Sequence, residues 1–227
     1  MSVNKTAYQE IVKELAENDV RLVAVSKTKP AEDIREMYEL GQRDFGENYV
    51  QELVDKQAQL PNDIRWHFIG HLQSNKVKYI APFVHLIHGI DSFKLLKEVN
   101  KQAAKNDRVI DCLLQIHIAQ EETKFGFDKN ELDELLKNEE LLPLRNIRIV
   151  GLMGMASFSD DLSLVRNEFK SLKQIFDDLS SQSSISNLRS SILSMGMSGD
   201  YKIAVEEGSN MVRIGSLLFG AREKKNV

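Results

Sequence analysis

The sequence predicts an α/β protein: a single (β/α)8 barrel of the TIM type over residues 1–227, with an extra N-terminal helix ahead of its first strand. Three observations point there. Eight short strand-like stretches alternate with helical stretches along the chain. The length of 227 residues falls within the roughly 200 to 400 of one such barrel and gives no reason to divide the chain. The first strand is apolar or small throughout, as a strand buried on both faces must be. Strand count and length together favour a closed barrel over an open doubly wound sheet.

Taken in order, Ala7, Ile11, Val12 and Leu15 recur at helical spacing, giving an amphipathic helix that ends near Asn18 and is expected to cover the bottom of the barrel. Leu22 to Ser26 is the first strand, and Pro30 opens a helix to about Leu40, closed by Gly41. Arg43 to Asn48 is a short second strand with Asn48 at its exit, followed by a helix from Tyr49 to Leu60. Arg65 to Gly70 is the third strand, and Ser74 or Asn75 caps the helix after it. Val84 to Ile90, Phe93 to Ala104 and Val109 to Ile118 are strand, helix and strand. The loop Glu121 to Phe127 carries Lys124 at a ligand-facing position, and a helix follows from Asn130 to Asn138. Ile147 to Met153 is the sixth strand, Leu162 to Leu179 a long amphipathic helix, and the serine-rich Ser180 to Ser186 a surface loop. Ile192 to Met195 is the seventh strand. Gly196 to Asp200 then turns into a helix ending at Gly208, and Asn210 to Ile214 is the eighth strand, with Gly215-Ser216 and a short segment to Arg222 after it.

Composition narrows the function. The chain has 30 basic and 34 acidic residues, evenly interspersed, so neither nucleic acid nor a membrane surface is an expected partner. Ser2 to Asn18 is charged and lacks an apolar signal core, and no run approaches the ~18 apolar residues of a membrane span. The single cysteine, Cys112, lies in an apolar run, reads as a buried inert thiol, and fits a reducing cytoplasmic setting.

Chemistry concentrates at the strand exits, the ligand-facing end of a parallel barrel. Lys27 stands where the first buried strand ends. An amine held there, partly desolvated, has a lowered pKa and is free for nucleophilic work such as Schiff-base formation. The plainer reading makes Lys27 the first solvated residue of a loop. Lys29, past the strand, is the competing amine and is expected to be more exposed. His67 and His71 are four residues apart, but Gly70 breaks any helix between them, so no metal site is expected. His85, His88 and His117 fall in strands and read as hydrogen-bonded structural histidines. After strands seven and eight, Gly196, Ser198 and Gly199 on one loop and Gly215 and Ser216 on the other let backbone N–H groups approach an anion, the usual phosphate site of such barrels. No Walker lysine motif and no dinucleotide fingerprint accompany them. A phosphate cradle across the barrel mouth from a strand-end lysine suggests pyridoxal 5′-phosphate (PLP) as cofactor.

Five blocks carry a resemblance: residues 24–30 (AVSKTKP), 45–49 (FGENY), 66–76 (WHFIGHLQSNK), 193–198 (LSMGMS) and 212–216 (VRIGS). Together they resemble the pyridoxal phosphate homeostasis proteins, which are similar to the barrel domain of bacterial alanine racemase. The similarity runs over essentially the whole chain. It implies that Lys27 holds the cofactor as a Schiff base, that Ser198, Gly199, Gly215 and Ser216 surround its phosphate, that Asn48 and His67 line the ring pocket, and that Arg213 faces the pyridine nitrogen. An arginine can only donate, so it keeps that nitrogen unprotonated and the ring a poor electron sink.

Three functions follow as expectations. The first is a monomeric carrier that buffers PLP and delivers it, with PLP-dependent apoenzymes as possible recipients, and turns nothing over. Racemisation needs a second acid/base opposite the lysine; in the racemases a tyrosine of a separate C-terminal domain supplies it, and here Lys224 to Val227 follow directly on the barrel. The second is a PLP-dependent amino-acid racemase or lyase whose second base, Tyr49 or His67, lies within the barrel. The third, a phosphosugar aldolase using Lys27, leaves Arg213 unexplained.

Overall fold

A computed structural model describes residues 3–121, 125–181 and 188–221. Helix α1 (Lys5–Ala16) precedes β1 (Arg21–Val25). Strand and helix then alternate through α2 (Ala31–Glu39), β2 (Asp44–Glu47), α3 (Val50–Gln57), β3 (Arg65–Phe68), α4 (Val77–Ile80), β4 (Leu86–Ile90), α5 (Phe93–Lys105) and β5 (Ile110–Ile116). The second half adds α6 (Lys129–Lys137), β6 (Ile147–Gly154), α7 (Leu162–Ser181), β7 (Leu188–Met197), α8 (Tyr201–Glu206), β8 (Met211–Ile214) and α9 (Ser216–Phe219). The eight strands pair in sequence order, all parallel, and close into a barrel where Arg21 meets Met211 and Ala24 meets Ile214.

Alternation along each strand sends one set of side chains outward to the helices and the other into the barrel. The outward set forms the main core with the helices, built on residues such as Phe45, Phe68 and Phe169, all fully buried. A smaller apolar cluster of Val23, Leu86, Leu113, Val150, Met153 and Met211 fills the interior. Val150 is the extra residue of a bulge: Cys112 pairs with Ile149 and Leu113 with Gly151. Gly151 adopts φ 154°, and a Cβ there would stand 1.8 Å from the carbonyl oxygen of Ile192, so only glycine lets β6 and β7 approach. Cys112 is buried, and burial pushes its thiol pKa up. Among the described residues no helix is long and apolar enough to cross a membrane.

Several expectations need correction. Helix α1 does not lie beneath the barrel but runs along its outer wall. The Asn4 N–H donates to the carbonyl of Leu218 (2.8 Å), Lys5 pairs with Glu36 (2.8 Å), and the Tyr201 hydroxyl donates to Glu14 (3.0 Å). The reason is coverage: α9 is a single turn, and the apolar face Tyr8, Ile11 and Leu15 shields what it leaves bare. His85 precedes β4 and His117 follows β5, leaving His88 alone within a strand. Strand β7 is longer than predicted, and α7 continues to Ser181, into the serine-rich stretch. The rest of that expected loop, 182–186, lies outside the described residues, as does Lys124.

Candidate functional site

A cavity of about 400 Å³ opens at the C-terminal ends of the strands. It gathers Lys27, Asn48, Ser198, Gly199, Arg213, Gly215 and Ser216, seven of the eight residues named from the sequence. These come from the exits of β1, β2, β7 and β8, which the closed strand order makes neighbours.

Lys27 sits in a tight turn. Ser26 N–H still bonds to Gly46 O (3.0 Å), as a strand residue would, and Lys29 N–H turns back to Ser26 O (3.0 Å). Between them Thr28 adopts φ 64°, an uncommon conformation for a β-branched residue. A buried ionic cluster holds the turn from behind. The Lys56 ammonium donates to Ser26 O (2.7 Å), Glu47 Oε1 (2.7 Å) and Glu52 Oε1 (2.6 Å), and Thr28 N–H donates to Glu52 Oε1 (2.5 Å). Ser26 Oγ also donates to Glu47 (2.6 Å). Burial pushes the Glu47 carboxyl up to about 7, against the attraction of Lys56. Lys27 and Lys29 are both half-buried and both line the cavity; the Lys29 ammonium approaches Ala221 O at 3.4 Å.

The two glycine–serine loops meet, since Gly215 N–H donates to Ser198 Oγ (3.2 Å). Gly215 also packs closely on β1, where a Cβ would come 3.2 Å from Val25 O. Gly199 is different. A Cβ there would meet nothing within 4 Å, so packing does not demand glycine and its bare backbone borders open cavity. Asn48 Oδ1 is shut off from solvent and accepts no hydrogen bond among the described residues. Arg213 is 4% exposed; it donates to Ser194 O (2.8 Å), Ser194 Oγ (2.7 Å) and Gly154 O (3.0 Å). Burial lowers its pKa to about 10, which leaves it a cation at neutral pH.

His67 is the exception. It does not line the cavity but is fully buried below it, bonded to Asp44 (2.9 Å) and His88 (2.9 Å). Residues two apart on a strand share a face, so Ile69 takes the place at the cavity, and His67 lies roughly 7 Å deeper. Tyr49, the other proposed second base, is 56% exposed ahead of α3 and does not line the cavity either. Sequence reasoning missed Ile69, Met155, Phe158 and Asp200 on the cavity wall, and the cluster behind Lys27. The signal for that cluster was present: Lys56 falls three residues after Leu53, on the buried face of α3.

A family model for the alanine racemase N-terminal domain matches residues 6–223. The pyridoxal phosphate homeostasis protein of Aquifex aeolicus is 43% identical over 208 residues, covering 91% of this chain and 89% of that one. The human protein of the same name is 39% identical over 235 residues, covering 98% and 85%. Among solved structures, PipY of Synechococcus elongatus superposes with TM-score 0.85 without PLP and 0.82 with PLP bound, at 36% identity over 93% of this chain and 99% of PipY. With a barrel of this topology, a family model spanning residues 6–223 and relatives similar over most of their length, this chain belongs to the alanine racemase N-terminal domain family, among the pyridoxal phosphate homeostasis proteins.

Proposed function

We propose that this chain binds PLP in the cavity at the strand exits, holds it covalently through Lys27, and serves to store and deliver the cofactor without turnover of its own. One observation carries the reading: a single cavity brings together a strand-end amine, two linked glycine–serine loops and a buried guanidinium. The cavity fits the group. Gly199 borders space that packing does not explain, and the orphaned Asn48 Oδ1 is an acceptor waiting for a donor. The name shared by the relatives and the PLP-bound PipY structure support the same cofactor.

PLP supplies an aldehyde, a phosphate and a pyridine ring. Lys27 would take the aldehyde, Ser198 with the backbone of Gly199, Gly215 and Ser216 the phosphate, and Asn48 would accept a hydrogen bond. Charge-assisted bonds to a phosphate are about twice as strong as neutral ones, so the anion carries much of the affinity. Arg213 stays charged and can only donate, so a ring nitrogen beside it remains unprotonated. That supports a carrier over an enzyme needing a strong electron sink, as does the position of Tyr49 and His67 away from the cavity. The single buried cysteine fits a reducing compartment, and the reading places this one-domain protein in the cytoplasm as a monomer, with PLP-dependent apoenzymes as recipients.

Given PLP, the purified protein should gain a visible absorption band and, after borohydride, a stable adduct on Lys27; Lys27→Ala should lose both. Unchanged absorption in that variant, with the adduct on Lys29 or Lys124, would overturn the assignment. Incubation with L-alanine in heavy water should leave Cα unlabelled. Deuterium at Cα with accumulating D-alanine, abolished in Lys27→Ala, would replace the carrier with a racemase.

A further inference from the structure

His67 and His88 are both fully buried, and neither lines the cavity. They belong to an unbroken row of hydrogen bonds through the barrel interior. Arg213 Nη1 lies 2.7 Å from Ser194 Oγ, Ser194 Oγ 3.2 Å from His88 Nδ1, His88 Nε2 2.9 Å from His67 Nδ1, and His67 Nε2 2.9 Å from Asp44 Oδ1. Asp44 in turn receives Arg65 through Nε (2.8 Å) and Nη2 (2.5 Å).

The acidic end fixes the direction of this row. Asp44 only accepts, so His67 carries its hydrogen on Nε2 and gives it to Asp44. A neutral His67 then accepts at Nδ1 from His88 Nε2, and a neutral His88 accepts at Nδ1 from the Ser194 hydroxyl. Ser194 Oγ accepts from Arg213 as well, since a guanidinium only donates. Burial alone would raise the pKa of Asp44, but the hydrogen bonds from Arg65 and His67 and the charge of Arg65 outweigh burial and hold it well below the carboxylate range. Burial lowers the pKa of both imidazoles, which keeps them neutral. The Arg213 end is compatible with that polarity, and every member is satisfied.

Asp44, His67 and His85 also stand close enough to bring a metal ion to mind. The carboxylate is already committed to the Arg65 fork and to His67, however, and a guanidinium charge occupies the neighbourhood a cation would need.

A polar row in a barrel interior is costly unless fully connected, and apolar residues would fill the same space. Of its five members, Arg213 alone lines the cavity. We propose that Ser194, His88, His67 and Asp44 are positioning residues that fix the guanidinium of Arg213 at the cavity wall in one orientation. The proposal rests on the PLP reading for what Arg213 faces, but not for the row itself.

Two measurements test it. On the cofactor-free protein, nitrogen NMR should show both imidazoles neutral with hydrogen on Nε2, and slow rotation of the Arg213 guanidinium that Ser194→Ala speeds up. A hydrogen on Nδ1 or an imidazolium at neutral pH, or unchanged rotation in Ser194→Ala, overturns the proposal. On PLP binding, Ser194→Ala should weaken affinity about tenfold, as for one hydrogen bond to a charged group. His88→Leu should do the same, and His88→Gln, which still accepts and donates, should recover most of the loss. In an Arg213→Met background Ser194→Ala should have no further effect. The same tenfold loss in that background would mean that Ser194 does not act through Arg213, and the proposal would fall. A wild-type protein that takes up no PLP refutes the proposed function instead, and the NMR arm still decides whether the row orders Arg213.

Discussion

Replacing Lys56 by methionine keeps most of the side chain's bulk and removes its charge from the cluster behind Lys27. The Lys56 side chain is 7% exposed and that of Glu47 0%, so the change strands a carboxylate that water cannot reach. Breaking a buried pair from one side costs about 3 to 5 kcal/mol, less wherever the orphaned group can take up a proton. Glu47 can do so. Its pKa is about 7 in the fold against an ordinary 4.5, so the stability linked to its protonated form is complete below about 4.5 and lost as pH rises through 7. Without Lys56 only the Ser26 hydroxyl still opposes burial, the folded pKa climbs further, and that loss continues to higher pH. Lys56→Met should therefore cost about 3 kcal/mol at pH 8 and only about 1 kcal/mol at pH 5. Urea denaturation at the two pH values measures both, and a loss of ~3 kcal/mol moves the midpoint by about 1 M or more at slopes of 1–3 kcal/mol/M. A deficit equal at the two pH values, or no deficit at pH 8, would refute the reasoning. The same variant should slow formation of the reducible PLP adduct, because the carbonyl of Ser26 and the Thr28 turn lose their anchor.

Gly151→Ala should destabilise by about 4 kcal/mol or more, read by thermal or urea unfolding, because the new Cβ meets the Ile192 carbonyl with no flexible side chain to yield. Asp44→Asn should be most destabilising near neutral pH. The depressed pKa of Asp44 gives stability that is present above the ordinary value of 3.8 and lost as pH falls through the folded value, so in acid-unfolding curves the gap between wild type and variant should begin to narrow only below about pH 4 and go on narrowing with further acid. Cys112 should react with a thiol reagent only as fast as the protein unfolds, since the buried thiol is both inaccessible and pushed away from ionisation; rapid labelling under native conditions would contradict its placement.

The order of strands and helices was legible because most strands are compact apolar runs and most exits carry glycine, serine, asparagine or lysine. Periodicity says which face a residue takes but not its depth along the barrel. His67 and Ile69 share a face, and only the staggered register of the closed sheet decides which of them meets the cavity. The same limit hid the buried row, whose members Asp44, His67, His88, Ser194 and Arg213 lie on five strands and become neighbours only on closure. Helix α1 was misplaced for a different reason. Its amphipathic pattern shows that one face is covered but not by what, and the short α9 that leaves the wall bare has no pronounced signature.

Helix α1 and the first strand lie against residues near the other end of the chain, which bears on how the protein is made. Arg21 to Ala24 pair with Met211 to Ile214, and Asn4 bonds to Leu218, so one edge of β1 has no native partner until almost the whole chain is synthesised. At about 5–20 residues per second a ribosome holds that edge open for on the order of 10 to 40 s. An unpaired strand edge is a template for pairing with other chains. The nascent protein should therefore depend on chaperones until its last strand emerges, and a circular permutant opened between α7 and β7, which makes β8 and β1 close together in sequence, should shorten that dependence in a timed cell-free synthesis.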